Sequence, residues 1–336
     1  MKVFKNISLK KYNTFGLDYR AENVIHIDKL KEALSLFRGE VTFKKPLLVL
    51  GSGSNILFTN NYKGTIIRPD FRGIRIENED DKHVIISAGS GVIWDKLVEW
   101  CVEKGFSGLE NLSLIPGTAG ATPVQNIGAY GVEIKDFIVK VKAINVHNGL
   151  IRIFSNKECE FGYRTSIFKN RLKGKYLITR IYYRLNINAL LNLQYGSLKD
   201  EVHKIGDQNL KNVRQAVINI RRAKLPDPEI IGNAGSFFKN PVVAAEIADR
   251  LKKEHPAMPL YDDLYGTKKL AAGWLIEKCG WKGYRSGDAG VHDKQALVLV
   301  NHGKAEGIEI WNLSESIKKS VLDKFGVELE REVEAI

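Results

Sequence analysis

The sequence predicts an α+β fold with mostly antiparallel strands, and three observations carry that reading. Phe137–Val146 and Leu150–Phe154 flank Asn148-Gly149, a strong hairpin signal. Tyr176–Leu185 adds a strand of aromatic and β-branched residues. Helical segments are set off from these strands by glycine stops, as at Gly105, Gly280 and Gly326. A Rossmann arrangement is excluded at its signature. Gly51-Ser52-Gly53-Ser54-Asn55 follows an apolar strand, but position 56 is Ile and the chain runs on as strand rather than opening a helix.

In chain order, Val24–Ile27 reads as a strand and residues 29–38 as a helix. Pro46–Leu50 is a continuous apolar run and predicts a fully buried strand, followed by a short one at Ile56–Phe58. Strand signals recur at 65–67, 73–76 and 83–88. Residues 92–104 form an amphipathic helix on Leu97, Trp100, Cys101 and Lys104. Residues 186–220 read weakly, with a helix near 209–222. Asn240-Pro241 predicts the start of a helix over 241–254, with Val243, Ile247 and Leu251 on one face. Leu270–Cys279 reads as a helix, Ala296–Val300 as a strand and residues 305–325 as a long helix on Ile310, Leu313, Ile317, Val321 and Phe325. Residues 327–336 read as a last strand.

Length and composition narrow the class. A chain of 336 residues, 44% hydrophobic and 27% charged, is long enough for two or three domains with real cores. The net charge of +12 suits an anionic partner, but its cations are scattered among acids, which favours a solvated surface over a nucleic-acid interface. Three cysteines without Cys-x-x-Cys spacing give neither a disulfide framework nor a zinc site, so reduced thiols in a cytoplasmic protein and no metal are expected. No apolar run approaches the ~20 residues of a membrane span, and the first residues do not form a signal peptide.

Six stretches stand out for their chemistry. Gly51–Asn55 can turn several backbone amides toward one anion, although a plain tight turn would look the same. From Asn111 to Gly131 the chain carries no charge and is rich in small residues. A loop this long must satisfy its backbone groups against something, and two amide-rich loops together fit a dinucleotide diphosphate; a structural Ω-loop is the alternative. Arg164 lies among aromatics in Phe161–Lys169, suited to a carboxylate or to ring stacking. Arg221-Arg222-Ala223-Lys224 can meet a second diphosphate or close a helix electrostatically. Gly232–Pro241 puts Ser236 between a glycine and two phenylalanines, and its glycines let another molecule come close. At the end, Glu330–Glu334 reads by itself as an exposed charged strand.

Taken together, these stretches resemble the UDP-N-acetylenolpyruvoylglucosamine reductase family, in family order from Asn13-Thr14-Phe15-Gly16 to Glu332. The most specific landmarks are Ile115-Pro116-Gly117 through Gly131, Gly162-Tyr163-Arg164, and Gly232 through Pro241. The resemblance implies a two-lobed FAD-binding domain of the vanillyl-alcohol-oxidase type plus a separate α+β substrate domain. The implied boundaries are 1–70 for the first lobe, joined by the strand at 327–336, then 71–200 for the second lobe and 201–326 for the substrate domain. It implies FAD held without a covalent bond by Gly51, Ser52, Gly53, Ser54, Asn55, Pro116, Gly117, Ala119, Gly120, Ala121, Thr122, Gln125, Asn126, Gly128 and Ala129. NADPH is the implied hydride donor, and UDP-N-acetylglucosamine enolpyruvate the substrate, entering the same pocket in turn.

By the same resemblance Arg164 steadies charge at the enolpyruvyl carboxylate, Ser236 supplies a proton and Glu332 stabilises the enol-like intermediate. Burial would raise the pKa of Glu332 for that task. Tyr163, Tyr195, Lys224, Asn240, Tyr261 and Gln295 match substrate-binding positions, with Tyr261 on a lid over the nucleotide. A monomer without nucleic-acid or membrane partners is implied. Two departures are expected to bear on flavin contacts: Glu334 occupies a place usually basic in the family, and the tail to Ile336 is shorter than in many relatives. Glu330 competes for the role given to Glu332. A flavin oxidase of the same fold, and a basic nucleic-acid-binding protein, are the alternatives.

Overall fold

The computed structural model describes residues 1–188, 190–263 and 266–336. The chain forms two compact units. One comprises Met1–Ile7, Ala21–Ser52 and Tyr62–Ala223; the other comprises Ser8–Arg20, Gly53–Asn61 and Lys224–Ile336.

β1 (Lys2–Ser8) and β2 (Arg20–Ile27) are followed by α1 (Leu30–Phe37), which turns Ala33, Leu36 and Phe37 inward at helical spacing. β3 (Leu47–Val49), β4 (Ile56–Leu57) and β5 (Tyr62–Pro69) come next. A four-stranded sheet has the order β1-β2-β5-β3, with β2 and β3 both parallel to β5. The apolar run at 46–50 is therefore not a fully buried strand. β3 is the sheet edge and only half-buried, a place that tolerates Pro46 because the outer side needs no ladder donor.

β6 (Ile74–Glu79), β7 (His83–Gly89) and α2 (Trp94–Glu103) lead into the uncharged loop, which ends in the small hairpin β8 (Gly128–Ala129) and β9 (Val132–Glu133). β10 (Ile138–Asn145), β11 (Ile151–Ser155) and β12 (Tyr176–Asn186) complete a five-stranded antiparallel sheet in the order β11-β10-β12-β7-β6. The Asn-Gly hairpin forms as expected, but Gly149 alone of that pair is left-handed (φ 70°), so the connection is longer than a two-residue turn. α2 packs Trp94, Leu97, Val98 and Cys101 on this sheet with Tyr183 and Phe154. α3 (Leu198–Ile205) and α4 (Leu210–Lys224) bury a separate cluster on Leu198, Val202, Val213 and Val217.

The second unit opens with β13 (Gly232–Ser236) and β14 (Val242–Val243), then α5 (Ala245–Glu254). The predicted start at Asn240-Pro241 is wrong by several residues. Residues 242–243 pair as strand, and α5 begins after Ala244 without a side-chain cap. Its buried residues are Ala248 and Leu251, while Ile247 faces out. β15 (Leu260–Asp262) and β16 (Lys268–Leu270) join β14 in a three-stranded sheet, so Leu270 belongs to a strand and α6 (Ala272–Lys278) starts after it.

β17 (Arg285–Ser286), β18 (Ala289–Val291) and β19 (Val298–Asn301) form a second sheet with β13, in the order β13-β19-β18-β17. α7 (Gly307–Phe325) opens with a capping box of Glu306 and Glu309 and closes at left-handed Gly326. It buries Ile310, Leu313, Ile317, Val321 and Phe325, the stripe read from the sequence. The tail contributes only β20 (Glu334–Ala335), parallel to β4.

The division into units differs from the boundaries implied by the resemblance. α3 and α4 lie in the first unit, while 8–20 and 53–61 lie in the second together with the tail.

Candidate active site

In the first unit two loops meet. A Cβ on Gly51 would lie 3.2 Å from Thr118 Oγ1, so the turn after β3 touches the uncharged loop. That loop is clamped from below: Ala119 and Gly120 donate to the carbonyls of Val92 and Ser90 at 2.8 and 2.9 Å, and Trp94 donates to Gly117 O at 3.1 Å. Among the described residues no protein acceptor takes the amides of Gly51, Ser52, Gly117 or Thr118. Open amides on two touching, charge-free loops suit the phosphates of a dinucleotide, and FAD fits this donor set.

Thr122 and Asn126 are spent within the protein. Thr122 donates to Ala119 O at 2.8 Å and lies 3.2 Å from the Tyr183 hydroxyl. Buried Asn126 (φ 47°) donates to Gly162 O at 2.9 Å and Glu133 Oε2 at 3.0 Å, and accepts from the Lys135 amide at 3.0 Å. Its amide thus staples the loop to the Tyr163-Arg164 turn. Arg164 is left-handed (φ 53°) and donates to Gly128 O at 2.6 Å, with its guanidinium 5.6 Å from the Tyr163 ring. The loop that carries the amides therefore also aims the cation.

Two further groups flank it. Tyr130 packs edge-on against exposed Tyr195, 5.9 Å between ring centres, and burial raises its pKa. Arg221 is desolvated, which lowers its pKa, and its Nε has no hydrogen-bond partner among the described residues. The sequence reading passed over Tyr130 because it weighed only the amides of that loop.

Asp95 fixes the loop from the other side. It accepts both terminal nitrogens of Arg214 at 2.6 and 2.8 Å and the Leu114 amide at 2.6 Å. Burial alone would raise its pKa, but these bonds hold it below the usual carboxylate range.

In the second unit the segment after Ser236 meets the segment that carries Glu332. Ser236 lies on β13 opposite Val298, and the ladder is irregular between Asn233 and Ser236, where Gly235 takes φ 69°. A bulge of this kind re-aims the side chain that follows it. The Glu332 amide donates to Phe237 O at 2.9 Å, and Lys239 N donates to Glu330 O at 2.9 Å. Asn55 reaches the Glu332 carbonyl at 3.2 Å. Glu330, the competitor, has an exposed side chain paired with Lys239.

Gly232 does not leave room for a ligand. A Cβ there would stand 2.2 Å from Phe15 O, and one on Gly53 2.0 Å from Tyr12 O. The missing side chains admit the 12–15 segment, a correction to the expected role of Gly232.

Asn240 Oδ1 accepts the Ala272 amide at 3.0 Å, so it caps α6, not the helix that follows it in sequence. Gln295 Oε1 would stand 3.0 Å from a Cβ on Gly273. Asn240 and Gln295 thus flank the same first turn of α6. Tyr261, on β15 opposite Lys269, is exposed, as is Lys224 at the end of α4. Ser54, Pro116, Gly117, Ala121, Gln125 and Ala129 lie in the two loops as expected. No group of three metal-binding side chains occurs among the described residues.

A family described as FAD binding domain matches residues 24–155, the span that carries Gly51, Ser52 and the whole uncharged loop. Fold and loops together define an FAD-dependent oxidoreductase. The family described as UDP-N-acetylenolpyruvoylglucosamine reductase, C-terminal domain, matches residues 227–336. A curated UDP-N-acetylenolpyruvoylglucosamine reductase of Chromobacterium violaceum is 47% identical over 330 residues, 97% of each chain. Another, of Flavobacterium johnsoniae, is 45% identical over 339 residues and covers 100% of both. The chain belongs to the UDP-N-acetylenolpyruvoylglucosamine reductase family. The solved reductase of Thermus caldophilus shares the fold, with a TM-score of 0.69 at 24% identity over 100% of this chain and 99% of that one.

Proposed function

We propose that the chain reduces the enolpyruvyl group of UDP-N-acetylglucosamine enolpyruvate to give UDP-N-acetylmuramate for bacterial peptidoglycan, with Arg164, Ser236 and Glu332 as its catalytic groups. FAD, when bound, carries the hydride from NADPH to the enolpyruvyl carbon. Arg164, held by Gly128 O, steadies the negative charge that builds toward the substrate carboxylate. Ser236 gives a proton to the adjacent carbon, where a carbanion-like centre is basic enough to take it from a hydroxyl. Glu332 supports the enol-like form beside it. The observation that supports this reading is the bond from Glu332 N to Phe237 O at 2.9 Å, one residue along the chain from Ser236.

Gly51–Asn55 and Pro116–Ala129 hold FAD, chiefly through backbone amides. Tyr163, Tyr195, Lys224, Asn240, Tyr261 and Gln295 hold the substrate, with Lys224 and the Asn240 amide suited to its diphosphate. NADPH and the sugar nucleotide use one pocket in turn, and the enzyme works as a cytoplasmic monomer. No helix of the described residues is long and apolar enough to cross a membrane.

The test is optical. Purified protein is expected to be yellow, to bleach with NADPH under anaerobic conditions and to regain colour on adding the enolpyruvyl sugar nucleotide. A protein that cannot take up FAD, or one reoxidised only by dioxygen, overturns the reading.

A further inference from the structure

Arg331 sits in the acidic run Glu330-Arg331-Glu332-Val333-Glu334, yet its side chain is only 13% exposed. The guanidinium lies flat over Trp311, 3.8 Å from the ring centre. Its Nε donates to Ser314 Oγ at 2.8 Å, and Nη2 pairs with Glu315 at 2.6 Å. Ser314 is itself fully buried and donates to Trp311 O at 2.6 Å. Three residues of one face of α7 thus receive one arginine, by stacking, hydrogen bond and ion pair. On the other side, the Arg331 backbone bridges Phe238, and the next amide, that of Glu332, donates to Phe237 O.

We propose that Arg331 is the positioning residue for Glu332: it pins the tail to α7 so that the Glu332 backbone keeps its register beside Ser236. The tail has only two residues of regular strand at 334–335, and the stretch before it is held by buried Leu329 and Val333 and by irregular backbone bonds to 237–239. A two-residue strand by itself frays, and a misplacement of about 1 Å in a reacting group costs on the order of a hundredfold in rate. A fork anchored at three points on a long helix removes that freedom, and lysine cannot reproduce it. The inference rests on Glu332 being a catalytic group.

The experiment is a cycle of R331M, E332Q and the double variant, each purified with FAD, with reoxidation by the enolpyruvyl sugar nucleotide followed by stopped flow. R331M is expected to slow reoxidation by about tenfold or more while NADPH still bleaches it at the unaltered rate. The double variant is expected to be no slower than E332Q alone, because Arg331 acts through Glu332. R331K is expected to sit with R331M, and serves as the variant to read where R331M loses FAD or melts early. Unchanged reoxidation in R331M and R331K beside a slow E332Q overturns the proposal alone. Losses that multiply in the double variant also overturn it, since they mean an independent structural effect. An E332Q enzyme as fast as the parent removes the Glu332 reading and the proposal with it.

Discussion

The Arg164 guanidinium donates to Gly128 O at 2.6 Å, and a Cβ on Gly128 would stand 3.0 Å from that guanidinium and 3.0 Å from Val132 O. The cation and the bare position that receives it are therefore one device. G128A is expected to push Arg164 off its carbonyl and to cut kcat with the enolpyruvyl substrate, per FAD-loaded enzyme, by about tenfold or more. Steady-state kinetics with a flavin absorbance check reads this, and an unchanged kcat counts against the role of Arg164.

S236A separates the two halves of the reaction. Bleaching by NADPH is expected to proceed nearly as in the parent. Return of colour with the enolpyruvyl sugar nucleotide is expected to slow by about a hundredfold or more, the usual worth of a positioned proton donor. Equal damage to both halves, measured by stopped flow, removes Ser236 from that role.

D95N tests the tie between the uncharged loop and α4. It removes the charge that meets both terminal nitrogens of Arg214, while Glu99 stays 3.8 Å from Nη2, so a loss of about 1–3 kcal/mol is expected. Urea unfolding is expected to show that loss, and FAD affinity is expected to fall with it because the tie that Asp95 makes between the Leu114 amide and Arg214 of α4 is weakened.

Glu110 makes stability depend on pH. Burial raises its pKa, opposed by the Gly108 amide, which donates at 2.6 Å. A carboxyl with a raised folded pKa stabilises fully below its unfolded value of about 4.3 and loses that contribution as pH climbs through the folded value. E110Q keeps an acceptor for Gly108 but does not titrate. The Tm of E110Q minus that of the parent is therefore expected to rise as pH climbs above the unfolded value of about 4.3. A flat difference contradicts the burial argument.

Asn240 serves both helix and substrate in this reading, and two variants pull these apart. N240A removes the cap from Ala272 and is expected to cost about 1 kcal/mol. N240D keeps an acceptor there, so its stability is expected to hold while KM for the sugar nucleotide rises, because the amide donor is gone and a charge faces the diphosphate. Thermal melts and KM measurements decide between them.

Much of this was legible in the residues. α2 and α7 read correctly because their apolar residues repeat with the helical period and glycines close them. The antiparallel sheet read correctly because β10, β11 and β12 are long and rich in branched and aromatic residues. α3 escaped because only Leu198 and Val202 of its eight residues are buried, too thin a stripe to see. The cap of Asn240 was assigned to the wrong helix because its partner, Ala272, is 32 positions away. Arg331 stayed hidden because it is flanked by acids, and the features that bury it, Trp311, Ser314 and Glu315, lie at helical spacing on α7. Periodicity reports what an element does with its own neighbours; it says nothing of a lone side chain that crosses to another element.

β20 pairs with β4 in parallel, and Asn55 bonds to Glu332 across 277 residues of chain. During synthesis, then, residues 53–61 emerge early and wait, without their partner strand, until residues 334–335 have left the ribosome. Closing so long a loop costs little more than closing one half its length. Its timing is what matters: β4 and Asn55 meet their partners only once residues 332–335 have emerged. A chain cut short before residue 332 therefore leaves Asn55 without the Glu332 carbonyl and β4 without its partner strand.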